Sequence, residues 1–266
     1  MTHNTQQLTK RPSSVKAWIE AMRLRTLPVS LAGVVAALGY ALMFNTPDWG
    51  IFVLCLLFAL LAQISSNFAN EYFDYKDGLD RVGRDGPRRG VTEGDITPRA
   101  MRNAAFGTLA AACFIGLTFV IRGGWPMLVY GVLIALGAMA YSAGPFPLSR
   151  HCLGEVAVIA FFGLAPVMLT FYLMAGYVDT YVVAGSIAIG LMGANVLLVN
   201  NIRDINDDRS VGKHTLVTVI GRRAGSFLYL ANGWIAVWLT GSAWMYLGGC
   251  WSVSYTHLTL PTTTRV

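Results

Sequence analysis

Seven apolar stretches, each near the length a helix needs to cross a bilayer, constrain any fold of this chain. They run over roughly 27–44, 50–69, 104–121, 125–143, 153–175, 180–199 and 224–248. Inside hydrocarbon the backbone finds no water, so such segments close their hydrogen bonds internally, as helices. The expected fold is all-α, a polytopic transmembrane helix bundle. Charged residues are 13% of the 266, about half the share in a soluble domain, against 55% hydrophobic residues.

Lys and Arg are unevenly placed. Lys10, Arg11, Lys16, Arg23 and Arg25 precede the first stretch, seven more lie in the 70–103 loop, Arg150 follows the fourth stretch, and five lie in 200–223. Only Arg122 falls on the opposite side and Arg265 lies in the C-terminal tail, so 18 of 20 basic residues share one face of the membrane. That face is cytoplasmic by the positive-inside rule. The net charge of +6 is this bias, with some attraction to anionic lipid, and does not indicate nucleic-acid binding. The polar first 20 residues carry no cleavable leader pattern. Val15–Leu24, with Trp18, is expected to form an interfacial helix. Cys55, Cys113, Cys152 and Cys250 have no paired spacing, so neither a disulfide nor a zinc site is expected.

Two polar segments open on the basic face, Asn70–Asp80 and Asn200–Lys213, and they hold seven of the 14 carboxylates. Both begin with Asn-x3-Asp, 130 residues apart, and each follows the second helix of a set. This duplication predicts two pseudo-repeats facing each other across a central cavity. By that count an eighth helix is missing, and the Thr-rich residues 254–266 are expected to be a non-native tail.

Asn70, Asp74 and Asp77 stand at i, i+4 and i+7 and line one face of a continuing helix, while Gly78 lets Asp80 swing back. Asn200, Asp204 and Asp208 repeat the spacing, with Asp207 beside them. So many acids at a membrane edge need a counter-charge. An all-oxygen donor set without histidine suits Mg²⁺, which binds through one or two carboxylates plus substrate phosphates. Asn70, Asp74, Asp77, Asp80, Asp204 and Asp208 are the candidate metal residues. Asn70, Asn200, Arg203, Arg209, Lys213 and Arg25 are the candidate diphosphate contacts, with Asp74, Asp204, Asp208 and Lys213 catalytic. Arg25 has a rival explanation as a positive-inside anchor, and Tyr141 is either an acceptor-binding residue or an interfacial tyrosine. Asn67 either supports Asn70 across the helix face or simply packs, and His151 and His214 are expected to be solvated.

Asn70-x-Tyr-x-Asp74-x3-Gly78-x-Asp80 and Asn200-Asn-x-Arg203-Asp204-x3-Asp208-Arg209-x2-Gly212-Lys213 resemble the paired motifs of UbiA-type membrane prenyltransferases. Three further stretches agree: Arg23-Leu-Arg25-Thr-Leu-Pro28, Gly86-Pro-Arg88-Arg89 with Ile96-Thr-Pro98, and Tyr141-Ser-Ala-Gly144-Pro-Phe-Pro147 with Gly154-Glu155. The spelling is nearest the menaquinone branch, whose acceptor is 1,4-dihydroxy-2-naphthoate.

The resemblance implies a bundle of nine helices that joins a polyprenyl diphosphate to an aromatic ring, with Mg²⁺ and release of pyrophosphate. In this branch the attacked carbon also loses CO₂, giving demethylmenaquinone. Asn70, Asp74, Asp204 and Asp208 match the family's metal–diphosphate residues, Asp80 the last acid of the first motif, and Arg209 and Lys213 the basic residues of the second. Glu71 replaces a common Asp. The implied organisation is an N-terminal segment over 1–26, a membrane domain over 27–253 and the tail, in a bacterial inner membrane with the active-site loops cytoplasmic. Two alternatives stay open: 4-hydroxybenzoate as acceptor, and a cation-coupled transporter.

Overall fold

The computed structural model describes residues 14–80 and 88–246, with side chains described as far as residue 242. Gly86 of the first loop, Cys250 and the Thr-rich tail lie outside the described residues. Helices account for nearly all of the rest, and no strand occurs among the described residues.

α1 (Ser14–Ala21) lies ahead of α2 (Leu27–Met43). Arg23 separates them because its backbone is left-handed, at φ 52°, a conformation uncommon outside glycine. α3 (Trp49–Lys76) starts where the Asp48 side chain caps the Ile51 N–H at 3.0 Å. It continues well past residue 69, carrying Asn70 and Asp74 on the helix, and Gly78 turns the chain at φ 70°. α4 (Pro98–Gly123) is capped by Thr97, and α5 (Trp125–Ala140) follows a turn at Gly124.

α6 spans Gly154–Ala175, and α7 is Thr180–Arg203. The short α8 (Ile205–Ser210) precedes α9 (Leu216–Tyr246), which turns sharply at Gly221. As far as they are described, the seven expected apolar stretches fall within α2 to α7 and α9. Five helical segments, Ser14–Met43 among them, have the length and hydropathy to cross a membrane, whereas α5 is shorter and α9 is bent near its start.

Pairing follows the duplication. α3 packs most heavily on α4, and α7 packs equally heavily on α9, while α2 lies against α6 between the two halves. α1 is fastened to the polar end of the bundle. Ala17 and Ala21 are buried against Phe68, Ala69 and Met101, and Trp18 meets Phe68 edge-on at 5.5 Å.

α6 contains an irregularity that apolar patterning did not reveal, a π-helical turn over Ile159–Leu164. Pro166 follows it and has no N–H to return to the Phe162 carbonyl. The same turn brings Gly163 onto α7, where a Cβ would collide with the backbone of Ser186 and Gly190. Gly163→Val is therefore expected to lower stability by about 1–3 kcal/mol or more, since backbone cannot yield as a side-chain tip can. Thermal unfolding of the purified variant measures this, and a wild-type midpoint would contradict the packing described.

Candidate active site

A polar stripe runs down one face of α3 at spacings of four, three and four: Gln63, Asn67, Asn70 and Asp74. Along the helix axis it covers about 16 Å. Asn67 does not reach Asn70. It accepts from Gln63 at 3.2 Å and donates to the Met22 carbonyl at 2.9 Å, tying α3 to the start of the α1–α2 junction. Arg23 at that junction donates to Asn70 Oδ1 at 2.8 Å, and Asn70 Nδ2 donates to Ser142 at 3.0 Å.

Asp74 is buried, and guanidinium groups face both its oxygens. Oδ1 lies 3.2 Å from Arg150 and Oδ2 lies 3.7 Å from Arg89. Arg150 also pairs with Asp77 at 2.6 Å, and Arg89 with Asp80 at 3.3 Å and with Asn70 Oδ1 at 3.3 Å. Arg89 itself is only 7% exposed. Its loop is held by Glu71, whose carboxylate accepts from the Val91 N–H at 3.0 Å, which gives the acid at this position a physical task. Next door, Arg88 pairs with Asp95 at 2.7 Å, and that hydrogen bond raises the guanidinium pKa above its ordinary value.

The second motif is arranged differently. The helix breaks at Asp204, yet the i, i+4 bonds from Asp204 to Asn200 and from Asp208 to Asp204 survive at 2.9 Å, so the expected face persists. Arg203 binds its neighbour Asp204 through Nε at 2.6 Å and Nη2 at 2.9 Å. Lys213 lies 3.5 Å from Asp208. Arg209 turns to the Thr218 carbonyl at 3.2 Å, Arg25 is exposed on a short 3₁₀ turn, and Asn200 is half-buried.

A backbone contact joins the Arg150 loop, which reaches the first motif, to the second motif. His151 and His214 form a single parallel bridge, with the Cys152 N–H donating to the His214 carbonyl at 3.1 Å. The residues just before them are Arg150 and Lys213. The His151 ring stacks on Phe146 at 3.7 Å.

The α3 stripe ends at an apolar cavity between α2, α3, α4, α5 and α6. It holds about 1040 Å³ of empty space, part of it open to the surroundings. Gln63, Ser66 and Tyr141 line its polar end, and Phe119, Met127 and Leu173 its far end. The cavity thus sits mainly in the first repeat and the first helix of the second.

Oxygen atoms dominate the candidate metal residues, as Mg²⁺ requires. Among the described residues no three carboxylate, histidine or cysteine groups gather closely enough to hold an ion alone. Arginines stand between the acids instead. Mg²⁺ needs no such cage when one or two carboxylates share it with phosphate oxygens, so the donor set fits.

Residues 29–264 match the UbiA prenyltransferase family. The chain belongs to the UbiA prenyltransferase family. It is a membrane-bound prenyltransferase. Among its relatives, the protein named 1,4-dihydroxy-2-naphthoate octaprenyltransferase of Escherichia coli is 36% identical over 215 residues, covering 79% of this chain and 70% of that protein. The Mycobacterium tuberculosis protein of the same name is 35% identical over 225 residues, covering 85% and 76%. Among solved structures, a UbiA homolog from Archaeoglobus fulgidus, bound to GPP and Mg²⁺, superposes with a TM-score of 0.69 at 15% identity, covering 93% of this chain and 88% of that one.

Arg23, Arg89, Arg150 and Ser142 were not assigned site roles from sequence. The first two and Ser142 stand inside stretches quoted for the resemblance, but nothing in their spacing distinguishes a site residue from a topogenic one. Arg89→Gln is expected to cost about 3–5 kcal/mol, because buried carboxylates lose a guanidinium partner. Arg89→Gln with Asp80→Asn should recover part of that loss. Unfolding midpoints of the pair decide it, and a single variant as stable as the wild type would refute the buried web.

Proposed function

We propose that this UbiA-family enzyme transfers a polyprenyl group from an isoprenoid diphosphate to 1,4-dihydroxy-2-naphthoate, releasing pyrophosphate and CO₂ and forming the quinol (reduced) form of demethylmenaquinone. The observation that carries the reading is the continuity of the α3 stripe. A buried, charged cluster around Asn70 and Asp74 leads through Asn67 and Gln63 into an apolar cavity. A substrate with an ionic head and a hydrocarbon tail matches both ends. Relatives named as naphthoate octaprenyltransferases support the acceptor, and a fold neighbour bound to GPP and Mg²⁺ supports the donor and the ion.

Asn70, Asp74, Asp77, Asp80, Asp204 and Asp208 are the residues that would hold Mg²⁺. Bound there, the ion would offset charge accumulating on the departing diphosphate. Arg203, Arg209, Lys213, Asn200 and Arg25 would contact diphosphate oxygens, Lys213 beside the leaving group. The allylic C1–O bond breaks and its electron pair departs with pyrophosphate. A ring carbon of the naphthoate supplies the pair for the new C–C bond, and loss of its carboxylate as CO₂ restores the aromatic ring, so no other reactant is needed. Tyr141, at the polar end of the cavity, would face the acceptor or the allylic cation.

The basic face sets the orientation, with the N-terminus and both motifs cytoplasmic, in a bacterial inner membrane. Asp74→Asn and Asp208→Asn should each lower turnover by about 10²- to 10³-fold or more while leaving membrane insertion intact. Normal rates with naphthoate and a polyprenyl diphosphate in either variant would contradict the assignment.

A further inference from the structure

Arg150 closes the short turn Leu148–Arg150 in the loop between α5 and α6. Its guanidinium is spent on the first motif. Nη1 pairs with Asp77 at 2.6 Å, and Nη2 reaches Asp74 at 3.2 Å and the Ser142 carbonyl at 3.3 Å. Its Nε is buried and lacks a hydrogen-bond partner, which is unusual for a buried donor in a settled network. The other Asp74 oxygen already faces Arg89. A divalent cation on Asp74 Oδ1 would therefore stand against a guanidinium at contact distance, where like charges repel strongly.

We propose that Arg150 is a placeholder cation, which neutralises Asp74 and Asp77 in the metal-free chain and passes to the diphosphate when metal and diphosphate arrive together. The inference rests on the prenyl-diphosphate reading above and adds an order to it. Alone, a metal ion must expel a guanidinium that has no better partner. With a diphosphate present, the displaced fork gains a bidentate acceptor, and its unpartnered Nε gains one too.

The bridge between His151 and His214 gives the move a direction. It anchors the Arg150 loop to the Lys213 loop at backbone level, so the side chain turns while its loop stays in place. Lys213 meanwhile holds Asp208 of the second motif at 3.5 Å. Two neighbouring cations, one on each motif, are thus set to receive one diphosphate between them. Metal and diphosphate binding are then mutually cooperative, and by linkage each tightens the other equally.

The test compares the full chain in detergent with Arg150→Gln and Arg150→Lys. Mn²⁺ binding is titrated by electron paramagnetic resonance without diphosphate, and labelled geranyl diphosphate binding is measured at saturating Mn²⁺. Arg150→Gln should bind Mn²⁺ alone about tenfold more tightly, and geranyl diphosphate about tenfold more weakly, within the usual range for coupled sites. Arg150→Lys, which folds with a cation in place but cannot span both acids, should move both affinities the same way by less. A purely structural role would weaken both bindings together. Mn²⁺ affinity in Arg150→Gln at or below that of the wild type overturns the placeholder. Wild type that binds no geranyl diphosphate overturns the functional reading, and this inference with it.

Discussion

Asp74 places a carboxylate inside protein at the edge of a membrane, and the polar end of the bundle is arranged around it. An isolated carboxylate there would be strongly penalised by desolvation. Arg150 and Arg89 approach its two oxygens from two separate loops, and Arg89 reaches on to Asp80. Those loops are themselves held, one by Glu71 on α3 and one by the pairing of His151 with His214. Removing the carboxylate from this web would leave cations, not a void. The web is thus a folding device and, in the proposed reaction, a store of groups that phosphate could recruit.

Duplication supplies the second half of the site without making it a copy. Both motifs keep Asn-x3-Asp on a helix end, but the first is covered by arginines from distant loops, whereas Asp204 pairs with the adjacent Arg203. The asymmetry extends to the cavity, which lies among α2 to α6. The π turn and Pro166 in α6 border that cavity, so the helix that joins the two halves is irregular where it meets the cavity. Two charged motifs beside an apolar cavity in one half suit the proposed substrate, whose two ends differ in chemistry.

Much of this was legible in the sequence. Long apolar stretches have few alternatives to helices, and Asp48, Thr97 and Asp179 cap theirs as such residues should. The Asn-x3-Asp spacing put the acids on common faces because 3.6-residue periodicity survives even the break at Asp204. The arginine partners were not legible. Arg150 lies 76 residues from Asp74, and a lone loop arginine on the basic face already has a sufficient explanation in topology. Arg23 reaches Asn70 only because its own backbone adopts a left-handed turn. Arg209, which its motif position assigns to phosphate, bonds the Thr218 carbonyl, a contact no spacing announces.

In the proposed reaction this site joins a polyprenyl tail to a naphthoate ring at the carbon that loses its carboxylate. Membranes containing the chain, given Mg²⁺, a long allylic diphosphate, and naphthoate and 4-hydroxybenzoate in competition, test it directly when the products are weighed by mass spectrometry. The expected product is a prenylated naphthol lighter by CO₂ than the simple adduct, with none of it formed when EDTA is present. A prenylated hydroxybenzoate as the main product, or a naphthoate adduct that keeps its carboxylate, would contradict it.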